Sequence, residues 1–302
     1  MGLYKKNKDE IITLQLLSQM LGKIKLEHAA QEPQWAHIIL DITPRGFSTG
    51  LLKHNEMYFE IEVNLVNNKI IIENSKETKE IKLENGKTIS EYYQELLDST
   101  NRLGLPISIH TRPQEMETTT PFEEDVEHHH YDEDVATEIL TWFQFAWDVE
   151  QQFIAPFRQR KVYPGLFWGT FDVSCIVVYN EFEPFPDDSK VIERAAFDEH
   201  MIEFGFWLGD DNYEHPTFFT LPYPFVEGVE LETNDEFPEG SYYSPEMAEY
   251  LFEMKDGLDQ ADQKEVIRFM EESCKKSFEY LEWQNTHHYF AELKMEKNKK
   301  AE

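Results

Sequence analysis

Apolar positions along this chain switch between a helical period and strict alternation, and each switch marks an element. Ile11, Leu14, Leu17 and Leu21 recur at helical spacing behind Asp9 and Glu10, with Gly22 as the stop, so an amphipathic helix opens the fold. The stretches LGKIKLEHA and WAHIILDIT read as strands, the second ending at Pro44 and Gly46. MYFEIEVNL alternates most cleanly, with Phe59, Ile61, Val63 and Leu65 set against Glu60, Glu62 and Asn64. Asn67 and Asn68 tolerate the positive φ of a tight turn into KIIIE, and KEIKL extends an antiparallel meander. Thr88 and Glu91 have the spacing of a capping box, and Gly104 closes the helix they start. PISIH returns as a strand.

From Arg112 to His130 the period is lost, which places a boundary between lobes 1–115 and 116–302 of one chain, or a long loop within one continuous unit. A long helix follows from Asp132 or Asp134. Val135, Ile139, Trp142, Ala146, Val149 and Phe153 form its stripe, Phe143, Trp147 and Ile154 widen it, and Pro156 ends it. GLFWGTFDVSCIVVY, residues 165–179, is the longest apolar and β-branched run and reads as one buried central strand. A short helix at Val191 to Phe197, the strand FGFWLGD, and TFFTLPYPF, confined by its prolines to an edge or bulge, come next. VEGVELETNDEFPEG is acidic loop. SPEMAEYLFEM opens as a helix with a Ser cap and Pro at its first position, and a last helix spans about Asp262 to Trp283. The fold class is α+β, with mainly antiparallel sheets covered by helices.

The charge balance narrows the partners. Against 28 Lys plus Arg stand 59 Asp plus Glu, and a net charge of -31 repels phosphate backbones, so neither nucleic acid nor an anionic membrane surface is expected. No run of roughly 18 apolar residues exists to span a bilayer, and the N-terminus lacks an export-signal core. Two cysteines, Cys175 and Cys274, make no disulfide framework, which fits a reducing, cytoplasmic setting. The aromatic content of 22 Phe, 14 Tyr and 6 Trp supplies core, and for Tyr and Trp a polar handle as well.

Asp172 interrupts the central apolar run, and a lone buried carboxylate costs several kcal/mol unless it is paired or meets a ligand. Around it Trp168, Glu199, His200, Trp207 and Tyr223 lie on or beside neighbouring predicted strands, the composition of a small-molecule pocket; core packing accounts for the rings alone. FEEDVEHHHYDED at 122–134 offers metal ligands, but adjacent side chains point to alternate sides, so at most two of His128, His129 and His130 reach one ion. His128 and His130 are the candidates, and a solvated loop before a helix is the simpler account. His37 shares a strand face with Trp35; Arg45 could grip an anion or pair locally; Glu60 and Glu62 share a face that exposure also explains. No G-x-S-x-G, P-loop or G-x-G-x-x-G pattern occurs.

Taken together, W-x-H at 35–37, TPRGFSTG, FEIEVNL, FEEDVEHHHYD, FWGTFDV, GFWLGD and FFTLPYP make the chain resemble the bacterial DUF5996 family over nearly its full length. The family is functionally uncharacterised, so the resemblance implies positions and no activity: Trp35, His37, Arg45, Gly46, Asp125, His128, Tyr131, Asp132, Phe167, Trp168, Gly169, Phe171, Asp172, Gly205, Phe206, Trp207 and Gly209. The family pattern carries a histidine shortly before F-W-G, where this chain reads PGLFWG, and S-H-E before G-F-W, where it has Asp198, Glu199 and His200. Three classes stay open. A binding protein uses a cleft of Trp35, His37, Arg45, Trp168, Asp172, Trp207 and Tyr223 for a small polar or aromatic ligand. An enzyme brings Asp172 together with His200 or His128. A structural or interaction module has filled strands and no pocket. No cofactor and no oligomeric state follows from the residues.

Overall fold

Two six-stranded antiparallel sheets carry the structure. A computed structural model describes residues 2–225, 233–255, 257–258, 262–289, 291 and 293. The first sheet runs β1 (Asp41–Ile42), β2 (Gly46–Ser48), β4 (Met57–Asn64), β5 (Lys69–Asn74) and β6 (Thr78–Lys82), with β3 (Leu52–His54) also on β4. On β4 the apolar face holds, with Phe59, Ile61 and Val63 buried and Ile61 opposite Ile72, but the other face is not exposed throughout: Glu62 and Asn64 are buried as well, Asn64 donating to Glu62 and Thr43 and Arg45 pairing with it. Asn68 takes φ 52° in the turn.

The second sheet has the order β11 (Ser241–Ser244), β12 (Glu249–Glu253), β10 (Thr217–Tyr223), β9 (Glu199–Trp207), β8 (Asp172–Phe182), β7 (Lys161–Phe167). Helices α4 (Glu133–Ile154) and α6 (Gln263–Tyr280) cover one face of it. Trp142 of α4 stacks on Phe206 at 5.4 Å, Phe153 meets Phe204 at 4.6 Å, and Phe252 stacks on Phe269 of α6 at 5.6 Å. Such ring pairs add about 0.5–1.5 kcal/mol each beyond their buried area. The two sheets are tied by reciprocal backbone bonds between Leu40 and Leu166, of 2.9 and 2.8 Å. One hydrophobic cluster takes in residues of both sheets, of α2 (Lys8–His28), of α3 (Ile89–Arg102), and of α4 and α6.

Local signals at helix starts are obeyed. Thr88 Oγ1 accepts from the Glu91 N–H while the Thr88 N–H donates to Glu91 Oε2 at 2.8 Å, and Asp132 caps α4 by accepting from Asp134 and Val135. Each such cap is worth ~1 kcal/mol. Short helices α1 (Leu3–Lys6) and α5 (Val191–Ala196) complete the set used below.

Several expectations are corrected by packing. LGKIKLEHA is not a strand but the second half of α2, and Gly22 lies inside the helix. Its K-I-K-L alternation misleads because the lysines are not solvated: Lys23 is 3 % exposed with Nζ on Gln114 Oε1, and Lys25 Nζ donates to the Ile39 carbonyl. WAHIILDIT begins as a 3-10 helix, Pro33–Ile38, in which Gln34 and Trp35 take positive φ, and only its end forms β1. PISIH forms no strand, its Ile107 and Ile109 packing on the core instead. SPEMAEYLFEM is a hairpin, β11 turning at Ala248 (φ 58°) into β12, because pairing with β10 overrides the helical cap signal. The central run is likewise a hairpin, broken at residues 168–171 with Phe171 at φ 63°. Trp147 stays 37 % exposed instead of widening the buried face of α4. TFFTLPYPF is neither an edge strand nor a bulge: β10 lies between β12 and β9, and it tolerates Pro222 because that residue lies beyond Thr220, the last one paired with β12, so the missing N–H costs no ladder bond on that side. Part of the acidic stretch, 226–232, lies outside the described residues.

Candidate functional site

Side chains on a strand alternate between faces, and the second sheet uses this to separate packing from chemistry. Val173, Cys175 and Val177 of β8 belong to the main hydrophobic cluster, whereas Asp172 and Ile176 look the other way. Beside them stand Met201, Glu203 and Trp207 of β9, Phe219 and Leu221 of β10, and Glu249 of β12. Together with α2, Trp35 of the 3-10 helix, residues 114–118, the 168–170 turn and α5, they line a half-open cavity of about 1100 Å³.

The wall opposite the sheet is held by α2. Gln19, fully buried, donates through Nε2 to the Gln114 carbonyl at 2.6 Å and accepts the Gln114 N–H at 2.9 Å, and Gln15 donates to the Gly169 carbonyl at 2.7 Å. Next to Gln114, Glu115 takes φ 56°, and its carboxylate occupies the room left by Gly169: a Cβ there would lie 1.9 Å from Glu115 Oε2. Trp35 is anchored by its Nε1–H to the Ile192 carbonyl at 3.0 Å.

Carboxylates dominate the chemistry of this space. Asp172 accepts from Thr170 and Ser174, so it has internal partners, yet it also borders the cavity. Burial pushes its pKa up against those two bonds. Glu203 is held well above the usual carboxylate range by burial and by the Asp172 charge, with Ser174 opposing. Glu249 is pushed to about 8 by burial and Asp172. Glu115 is open to the cavity and rises to about 7, first through loss of bulk water and then through Asp172 and Glu193. Among the described residues no lysine, arginine or histidine lies within ion-pairing distance of these four acids. The cations that line the cavity are committed elsewhere, Lys8 to Asp211 at 2.6 Å and His128 Nδ1 to Asp125 at 2.8 Å. Trp168, 3 % exposed, has its indole N–H without an acceptor.

Of the residues singled out by sequence, Trp35, Trp168, Asp172, Trp207 and His128 line this one cavity. The others do not. His200 falls on the opposite face of β9, because it is in phase with Phe204 and Phe206, and it faces Tyr179 at 6.4 Å. Tyr223 is buried past the end of the cavity, its hydroxyl donating to the Glu183 carbonyl at 2.9 Å. Arg45 pairs with Glu62 at 3.3 Å on the first sheet, and Ser48 donates to Glu60 there. Glu199 pairs with Arg160. His37 stacks behind Trp35 at 5.7 Å and borders a separate hollow of about 470 Å³; its Nδ1 accepts the Glu32 N–H, and burial lowers its pKa. His130 stacks on His129 at 4.4 Å outside both hollows, and among the described residues no three His, Cys, Asp or Glu side chains converge as metal ligands.

Three acids escaped the sequence reading. Glu203 was accessible to it, since it is in phase with Trp207 on an alternating strand. Glu249 was hidden inside a segment read as helix, and Glu115 in one read as loop.

An α+β protein with an acidic, tryptophan-walled cavity on the free face of its second sheet is thus defined. A family model described as a family of unknown function, DUF5996, matches residues 3–289, and the chain belongs to that family. No curated protein and no solved structure matches it. No helix among the described residues is long and apolar enough to cross a membrane.

Proposed function

We propose that the protein binds a small polar or aromatic molecule in the cavity on the free face of the second sheet. The observation that carries this reading is that a half-open cavity of about 1100 Å³ is lined jointly by Trp35, Trp168 and Trp207 and by carboxylates without cationic partners. Rings with a few convergent polar groups are the usual make-up of a ligand pocket, and a buried acid left without a cation gains most from a partner brought from outside.

The test is to screen a chemically mixed metabolite set by thermal shift and tryptophan fluorescence, beside a variant that fills the space, Leu221→Trp. Ligands that raise the melting temperature of the parent and not of Leu221→Trp support the reading. A set in which no acid, amine or neutral aromatic compound has any effect on the parent removes it.

A second reading, an acid/base enzyme, draws on His128. Asp125 accepts from its Nδ1, the orientation in which Nε2 is left to exchange a proton with a bound molecule. Conversion of a bound compound that His128→Gln abolishes without loss of binding is the expected mark of this reading; unchanged turnover in that variant removes it.

A further inference from the structure

The reading of the cavity as a ligand site can be taken one step further, to the class of ligand. We infer that the cavity takes an organic cation, a molecule carrying an amine, amidinium or guanidinium on an apolar body. This rests on the proposed small-molecule site and adds its chemistry.

Three observations converge. Asp172 of β8, Glu203 of β9 and Glu249 of β12 line the cavity from one sheet, and Glu115 comes from the opposite wall, with no lysine, arginine or histidine among the described residues paired to any of them. A guest that brings positive charge meets fixed acceptors already in place, and charge-assisted hydrogen bonds are about twice as strong as neutral ones. Trp168 and Trp207 stand beside these acids, and an indole face attracts a cation within about 6 Å of its centre. Lys23 already uses the Trp168 ring in this way from outside the cavity, with Nζ 5.4 Å from the ring centre.

Competing ligand classes fit less well. An anion would find only Lys8 and His128 as cationic lining groups, each already held by its own aspartate. A bare metal ion needs several donors at about 2.0–2.6 Å, and the described residues hold no such convergent set; about 1100 Å³ suits a body of many atoms. The net charge of -31 draws cations toward the molecule as a whole, which raises the encounter rate but does not select the cavity.

Matched probes separate these cases. Benzamidine, benzamide and benzoate share one ring and differ in charge, and spermidine supplies an extended cation without a ring. Each is titrated at millimolar concentration into the full chain, read by tryptophan fluorescence and by calorimetry, and repeated on Glu203→Gln and Glu249→Gln. Both substitutions are near-isosteric and remove a buried acid that lacks a counter-charge, so both variants should fold; circular dichroism checks this, and Trp207→Phe serves as a third variant independent of charge. The expected result is binding of benzamidine or spermidine, weak or no binding of benzamide and benzoate, and a loss of roughly tenfold or more in each Gln variant. Benzamide or benzoate binding as tightly as benzamidine overturns the cation assignment while leaving the pocket standing. Cation binding that both Gln variants retain overturns it as well, since it reports surface charge. If neither cation binds, the assignment fails; if the mixed metabolite set also fails, the pocket reading goes with it.

Discussion

A Cβ atom on Gly22 would lie 2.1 Å from Cδ1 of Trp168, so the indole that walls the cavity rests directly on the backbone of α2. A glycine in mid-helix forfeits about 1 kcal/mol relative to alanine, and here the close approach of a large ring explains why it is kept.

Gly22→Ala therefore sets two effects against each other. Helix propensity favours alanine by about 1 kcal/mol, but a Cβ at 2.1 Å from the ring forces Trp168 to shift toward the cavity, and overpacking costs typically 1–3 kcal/mol. The expected outcome is a net loss of stability in urea unfolding together with a shifted tryptophan emission. A more stable variant with unchanged emission would falsify the close packing.

Stability should fall as pH rises from about 5 to 8. Burial raises Glu203 and Glu249 in the folded state, Glu249 to about 8, so the unfolded chain releases these protons near the ordinary value of 4.5 while the folded chain retains them. Their contribution is complete below pH 4.5 and is lost on the way to the folded values. Glu150, Asp172 and Glu115 act in the same direction; Glu115 is open to the cavity, so solvent screening reduces its share. Lys23, lowered to about 8, acts only at higher pH and with the opposite sign. Urea midpoints between pH 5 and 8 should decline by the equivalent of at least ~2 kcal/mol, and Glu249→Gln should flatten the upper part of the curve. A flat profile for the parent would show that these acids are hydrated.

Glu150 of α4 is fully buried, neither carboxylate oxygen has a partner, and burial pushes its pKa well above the usual carboxylate range. An unsatisfied buried polar group costs about 1–3 kcal/mol. Glu150→Met, similar in volume and without that cost, should raise the melting temperature by several degrees. A destabilised Met variant would mean that Glu150 has a partner in solution.

Asp125 ties its loop to itself and to a histidine. Its carboxylate accepts from the backbone N–H of Glu127 and His128 and from His128 Nδ1, while its carbonyl accepts from Ser90 at the start of α3. Burial works against its ionisation, but the bonds from His128 outweigh that, so Asp125 titrates low; the same bond moves His128 above its ordinary value. The low-titrating acid adds stability above its unfolded pKa, and the raised histidine adds it below about 6.5. In Asp125→Ala the His128 ring should titrate lower in NMR, with a stability loss of about 2 kcal/mol. An unmoved His128 titration would sever the pair.

Much of the architecture can be read from local pattern, as at β4 with its Phe59, Ile61 and Val63, the Thr88 box and the Asp132 cap. These signals rest on neighbours a few residues apart, and burial of one face enforces them. Patterns failed where distant chain supplied the deciding partner. Lys23 and Lys25 look like the wet side of a strand until Gln114 and Ile39 come to meet them. The Ser-Pro start at 244 looks helical until β10 claims the segment. The site divides in the same way. Trp168, Asp172 and Trp207 stand out in the sequence because ionisable and amphipathic side chains amid apolar runs are conspicuous, and the strong excess of acids is plain from composition. Whether a given residue faces the cavity is a matter of strand phase and register, and this put Glu203 in and His200 out although they are three residues apart. Glu115 and Glu249 join them only through folding, since proximity across a cavity is set by which strands pair and which helix closes over them.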